Sequence, residues 1–375
     1  MIYTKQNVID YVNEEDVKFI RLVFCSSKTV QKNISIMPNQ LENAFEKGIA
    51  ISSSHIEGFE KYGQIVLHPD PDTISLLPWR PSQGRVIRMF CDLTTTSGEE
   101  IVTSSRRILK EAIQNIKDED IYFSTEFEFY LFKMDEEGQN TLIPYDNASY
   151  MDIAPDDKGE NVRREICLSL HEMEIQTGGS HHAYGPGQNK IILVEDKPLY
   201  AAENMITFES VVKTIAARNG LYADFSHRPK EDLAVSSHQI RIKVKKDKLE
   251  KYYNNLKKHY DEIYLFLNNT SYLYDEYDEK KNIILDEFSS SIVINRVSYT
   301  SDPYLAYSLI MYALFDEEKS SLKKAYTLNE AKEIASCSKF IKKHIPEELL
   351  NFYIKVNEYL YIFKNMVVYF LNEKH

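Results

Sequence analysis

The chain has 375 residues, a net charge of −12 and a pI near 5.4. That acidity excludes a nucleic-acid or anionic-membrane partner, because phosphate contacts need a basic face. An apolar share of 43% with 27% charged residues is that of a globular protein, and the length allows one large domain or two.

The four cysteines, Cys25, Cys91, Cys167 and Cys337, lack CxxC spacing and read as reduced, buried thiols of a cytoplasmic protein. No leader and no long apolar run stands out, so neither secretion nor membrane spanning is expected.

Along the chain, "VKFIRLVF" (17–24) alternates and predicts a strand. "PNQLENAFEKG" (38–48) predicts a helix opened by Pro and closed by Gly. "GQIVLHPDPDTISLLPW" holds two extended runs broken by prolines, and "GRVIRMFCDLTT" (84–95) is another strand. These pieces make a small α+β unit. Residues 104–117 form an amphipathic helix on Ile108, Leu109, Ala112, Ile113 and Ile116. Strands "TEFEFYLF", "SSHQIRIKVK" and "SSSIVINRV" then mix with helices over 161–173, 201–219 and 303–315. Residues 247–267, basic early and apolar late, read as a helix with a solvated face. A last helix starts near Pro346 with Leu350, Ile354, Leu360, Phe363 and Val367 on one stripe. The class is α+β, antiparallel strands with helices on one side.

In "STEFEFYLF" (124–132), Glu126, Glu128 and Tyr130 point one way and Phe127, Phe129 and Leu131 the other. Two carboxylates so spaced can each hold a cation of a two-metal site, although the strand alone reads as the solvated face of a half-buried sheet. In "SSHQIRIKVKK", His238 is in phase with Ile240, Ile242 and Val244, as expected of a core histidine. The loop "GGSHHAYGPGQNK" (178–190) has the histidines and glycines of a ligand loop but no carboxylate.

In order, these pieces resemble the glutamine synthetase family. The resemblance runs through "GFEKYGQIVLHPDPDTISLLPW", "CDLTTTSGEE", "SRRILKEA", "TEFEFYLF", "DNASYMDIAPDDKGENVRREICLSLHEM", "HHAYGPGQNK", "NGLYADFSHRP" and "SDPYLAYSLIMYALFDEE". It implies an N-terminal β-grasp-like domain over 1–98 and a catalytic domain over 99–375 of antiparallel strands with flanking helices. It also implies active sites shared between neighbouring subunits of a ring. The family phosphorylates glutamate with ATP, and ammonia then displaces the phosphate. Two Mg²⁺ or Mn²⁺ ions, held mainly by glutamates and a histidine, neutralise the phosphates while arginines clamp the substrate.

Carried over residue by residue, Glu126, Glu128 and His238 match metal ligands. His181, His182, Gly185, Gly187 and Gln188 match the substrate and nucleotide loop. Ala183 and Lys190 stand where the family has metal glutamates, and Ile294, before Arg296, stands at a third. Ser52 and Gln64 replace aspartates, the first of which handles ammonium. No arginine lies between Arg241 and Arg296 or after it; a short, tyrosine-rich acidic stretch at 268–288 reads there as a surface loop. Two functions follow. One is a non-catalytic relative, serving assembly, regulation or ligand binding in a homo-oligomer or in a mixed oligomer with a complete family member. The other is an active ATP- and Mg²⁺-dependent amide ligase or phosphotransferase with another substrate. It would use one weakly held metal at Glu126, Glu128 and His238, with Lys190 as the second charge and Arg296 in the site. Ordinary glutamine synthesis ranks third.

Overall fold

The computed structural model describes residues 3–27, 29–80, 83–117, 120–236, 238–271, 279–318 and 324–355. The N-terminal part runs α1 (Lys5–Glu14), β1 (Val17–Cys25), β2 (Gln31–Ile36), α2 (Leu41–Lys47), β3 (Ile49–Ser52), β4 (Gln64–Pro69), β5 (Ser75–Leu76) and β6 (Arg85–Thr95). Its sheet has the order β2-β1-β6-β4-β3, with β5 on β6. β1 and β6 are parallel, and their apolar runs at 22–24 and 89–91 are buried on both faces. Leu22, Ile87 and Met89 enter the small core under α1, whereas Val23, Val86 and Phe90 enter the large core of the rest of the chain.

The second part opens with α3 (Ser105–Asn115), β7 (Tyr122–Met134), β8 (Asn140–Pro144), α4 (Glu160–Glu172), β9 (Thr177–His182) and β10 (Gln188–Leu193). It continues with α5 (Pro198–Arg218), β11 (Leu221–Asp224), β12 (His238–Lys243) and α6 (Leu249–Leu267). Then come α7 (Glu279–Asn282), β13 (Ile283–Asp286), β14 (Ser291–Val297), α8 (Pro303–Phe315), α9 (Leu328–Cys337), α10 (Lys339–His344) and α11 (Glu347–Lys355). An antiparallel sheet orders as β13-β14-β12-β7-β10-β9, with β8 and β11 also paired to β7.

Side-chain alternation along β7 separates two environments. Phe123 stacks on Tyr307 of α8 at 4.1 Å and Phe127 on Phe208 of α5 at 4.2 Å, sealing one face against helices. The other face carries Glu126 and Glu128.

Three expectations change. α6 is a core helix, buried from Glu262 to Leu267, because α8 packs along it. Part of the expected loop at 268–288 is strand β13, paired to β14, and Asp286 at its end binds Arg241. Cys337 is exposed, and Cys25 and Cys167 are half-buried; only Cys91 is fully buried. The C-terminal stripe is described as far as Lys355, with Leu350 buried; Leu360, Phe363 and Val367 lie outside the described residues.

Arg106, at the start of α3, ties the two parts together. Its guanidinium donates to Glu203 of α5 (2.8 Å), Asp70 (2.7 Å) and Asp92 (2.5 Å), and is almost fully buried. Removing one member of such a network strands a buried charge at Glu203. The Arg106→Met variant is expected to lose about 3–5 kcal/mol in urea unfolding. A loss below about 1 kcal/mol would show that the seam does not depend on this residue.

Candidate functional site

The polar face of β7 is completed by its neighbours' register. Lys190 of β10 lies opposite Glu128, and Gln239 of β12 lies opposite Glu126. The Lys190 ammonium is 2.7 Å from Glu126 Oε2 and 3.8 Å from Glu128 Oε1, so a cation on the chain sits between the two carboxylates. Burial opposes the charge on Lys190, but the hydrogen bond and charge of Glu126 outweigh it and raise its pKa. Arg241 adds a second cation, 3.6 Å from Glu126 and 2.6 Å from Asp286. Gln239 donates to Asn295 of β14, whose own amide donates to the Lys281 carbonyl at 2.7 Å.

His238 does not join this cluster. The register places it opposite Phe127, and its ring meets Phe127 edge-on at 4.7 Å on the helix-packed face. Ile294, expected at a ligand position, likewise pairs with Ile240 and is fully buried. The residues beside Glu126 are therefore Gln239 and Asn295, one position along each strand. Neither His238 ring nitrogen has a hydrogen-bond partner among the described residues, and burial pushes its pKa down to about 3. The ring lines a cavity of about 920 Å³ with Phe225, Ser54 and His55. Arg296 sits at a bulge of β14 with φ 60°, where its charge acts on the buried Tyr264 phenol of α6. Ser52 and Gln64 face each other across β3 and β4, both exposed.

The loop between β9 and β10 takes its missing carboxylate from elsewhere. Asp146, buried and 36 residues upstream of His182, accepts from His182 Nε2 at 2.9 Å and from the Gly187 amide at 2.8 Å. His182 Nδ1 lies 2.9 Å from the Ala183 carbonyl. With acceptors at both ring nitrogens, only the imidazolium satisfies the site. Burial opposes that charge, yet Asp146 raises the His182 pKa, while His182 and Gly187 lower that of Asp146 against its burial. Gly187 needs its φ of 69°, and a Cβ there would lie 2.8 Å from the Leu131 carbonyl. At Gly185 a Cβ would meet the Tyr130 hydroxyl at 2.6 Å. Gln188 closes the loop, accepting from the Gly185 amide (2.9 Å) and donating to Ser236 (2.9 Å). Ala183 is buried beneath it.

Asp146, Asp157 and His182 carry ligand atoms within 4.8 Å of one another. Chain cations already serve them: Arg163 binds Asp157 through two nitrogens and Asn189 Oδ1 at 2.6 Å. His181, opposite Lys190, lies on the polar face, edge-on to Tyr150, which stacks on Tyr184 at 4.6 Å. Sequence reading gave Asp146, Asp157, Arg163 and Asn189 no role, although all four lie in stretches that carry the family resemblance, because their ties to one another cross from 146–163 to 182–189 without periodicity.

Two family profiles match the chain. The glutamine synthetase beta-Grasp domain matches residues 16–96, and the glutamine synthetase catalytic domain matches residues 102–262. The chain belongs to the glutamine synthetase family. Glutamine synthetase of Clostridium saccharobutylicum is 38% identical over 249 residues, 65% of this chain and 56% of that protein. The Staphylococcus aureus N315 enzyme is 37% identical over 232 residues, 60% of this chain and 52% of that protein. The chain thus spans about half the length of these curated relatives. Among solved structures, ligand-free GmaS superposes with a TM-score of 0.81 at 16% identity, covering 96% of each chain. Glutamine synthetase of Plasmodium falciparum gives 0.80 at 15% identity over 96% of this chain and 98% of that one. At such identities the likeness is one of fold. It extends beyond residue 262 into the strands and helices that complete the second sheet.

The His182–Asp146 pair has a defined pH dependence. The raised histidine pKa contributes stability below its unfolded value of about 6.5, lost as pH rises through the folded pKa. The lowered aspartate pKa contributes above about 3.9 and is lost as pH falls through the folded pKa. In urea unfolding, the wild-type advantage over His182→Gln is expected to peak between about pH 4 and 6.5 and to shrink above pH 7. A pH-independent difference would overturn the imidazolium assignment.

Proposed function

We propose that this chain is a non-catalytic member of the glutamine synthetase family, serving assembly, regulation or ligand binding. Residues 1–98 would be its β-grasp unit and 99–375 its catalytic-type unit. The observation that carries the reading is the Lys190 ammonium held between Glu126 and Glu128. A divalent ion needs carboxylate oxygens within about 2.0–2.6 Å, so the ammonium would have to leave first. Gln239 and Asn295 beside Glu126 are neutral and already bonded to each other. Arg241 is engaged by Asp286 instead of standing ready for a substrate carboxylate. The residues present therefore argue against the two-cation, ATP-binding site that the family reaction needs. The alternative, a ligase with one metal at Glu126, Glu128 and His238, loses its third ligand to the opposite face of the sheet.

Phosphoryl transfer depends on charge stabilisation, and losing one such element costs about 10²–10³ in rate. The protein is expected to release no phosphate above background from ATP with glutamate and ammonium, at saturating Mg²⁺ or Mn²⁺. Sustained wild-type turnover would refute the proposal. Lys190→Gln should bind Mn²⁺ at least about tenfold more tightly than wild type in calorimetry, through Glu126 and Glu128, and still not turn over. Equal Mn²⁺ affinity in both proteins would show that Lys190 does not stand in for a cation.

We further infer that the subunits assemble, as a homo-oligomer or with a complete family member. Mass photometry is expected to show species of several chains, or a mixed complex with a co-expressed complete glutamine synthetase. Monomer alone at micromolar concentration in both preparations would contradict this.

A further inference from the structure

A second cluster of charge lies at the seam between the N-terminal sheet and α5, away from the face of Glu126. Arg21 of β1 is paired directly with Arg88 of β6, so two guanidiniums stand side by side on adjacent parallel strands. Arg80, in the turn after β5, and Arg218, at the end of α5, approach the same space. The four arginines, with Trp79 and Thr214, line a cavity of about 450 Å³ whose lining includes no aspartate or glutamate. In a chain of net charge −12, this is a local inversion of sign.

The cations are also poorly compensated. Arg88 is 7% exposed. One of its terminal nitrogens donates to Thr207 at 2.7 Å; the other, Nη1, is buried with no partner among the described residues. Arg21 and Arg80 form no ion pair with any described residue, and Arg218 reaches only Glu165, at 3.7 Å. Burial lowers the Arg88 pKa to about 10, against the pull of Glu203, which is itself bonded to Arg106. Burial and then the nearby Arg80 lower that of Arg21. Like charges on adjacent strands destabilise a sheet, and a buried N–H without an acceptor costs more. An anion would relieve both penalties together, and guanidinium forks match the oxygens of a carboxylate or phosphoryl group.

We propose that the Arg21–Arg80–Arg88–Arg218 cavity binds a small dianion carrying phosphoryl or paired carboxylate oxygens, clamped between the N-terminal sheet and α5. Phosphoryl and dicarboxylate ligands share this chemistry, and the experiment separates them.

The test is calorimetric titration of the full chain with inorganic phosphate and, separately, succinate at low ionic strength. Saturable binding is expected for at least one probe, weakening as salt is raised. The stronger probe assigns the ligand class. Arg21→Gln and Arg80→Ser, at half-buried and exposed positions that should not disturb folding, are each expected to weaken it at least about tenfold. Arg88→Lys should weaken it too; were that variant not to fold, the other two still decide. Absence of saturable binding below about 10 mM for both probes would overturn the proposal, as would unchanged affinity in Arg21→Gln and Arg80→Ser.

Discussion

Strand β7 is the constraint on which the rest of the second domain turns. It pairs with β8, β10, β11 and β12 along its thirteen residues, so its period of two is imposed on all of them. Its odd positions, Phe123, Phe127 and Phe129, are committed to the helices behind the sheet. The even positions, Glu126 and Glu128, are thereby committed to the other side. Which side chains of β10 and β12 meet the carboxylates is then a matter of register alone. Shifting β12 by one residue would exchange Gln239 for His238 and dismantle the aromatic packing around Phe127.

Compensation of acids by cations of the same chain recurs through the molecule. Lys190 and Arg241 serve Glu126, Glu128 and Asp286. His182 and Arg163 serve Asp146 and Asp157. Arg106 and Lys110 serve Asp70, Asp92 and Glu203. Each group joins elements far apart in sequence, so folding must assemble it whole; half of such a network is worse than none. The arginine cavity at the domain seam is the exception, with four arginines gathered and no aspartate or glutamate in its lining.

Much of the fold was legible in the sequence. Alternation in "TEFEFYLF" placed Glu126 and Glu128 on one face, and the apolar spacing of residues 104–117 placed their helix. The placement of His238 was legible too. Its phase with Ile240 and Ile242 marked it as a core residue, and the family comparison argued the opposite. The local pattern gave the right face, because cross-strand register, not motif order, decides it; the hydrogen bonds usual for a core imidazole are absent among the described residues. Ile294 repeats the lesson one strand further out. Asp146 could not be found this way: it lies in an irregular segment, and its tie to His182 spans 36 residues without periodicity. The arginine cluster was invisible for the same reason, since Arg21 and Arg88 become neighbours only through a parallel pairing.

The ammonium between Glu126 and Glu128 has a consequence for how this face responds to its surroundings. A bound metal equilibrates with solution, so its occupancy follows the free ion concentration and disappears with a chelator. Lys190 is tethered to the strand beside its partners, where the local concentration of its charge is set by covalent geometry and does not dilute. The electrostatic state of the face is therefore inherited with the polypeptide at synthesis. On the proposed non-catalytic reading, a surface of that kind keeps its shape where a metal-dependent one would be loaded and unloaded.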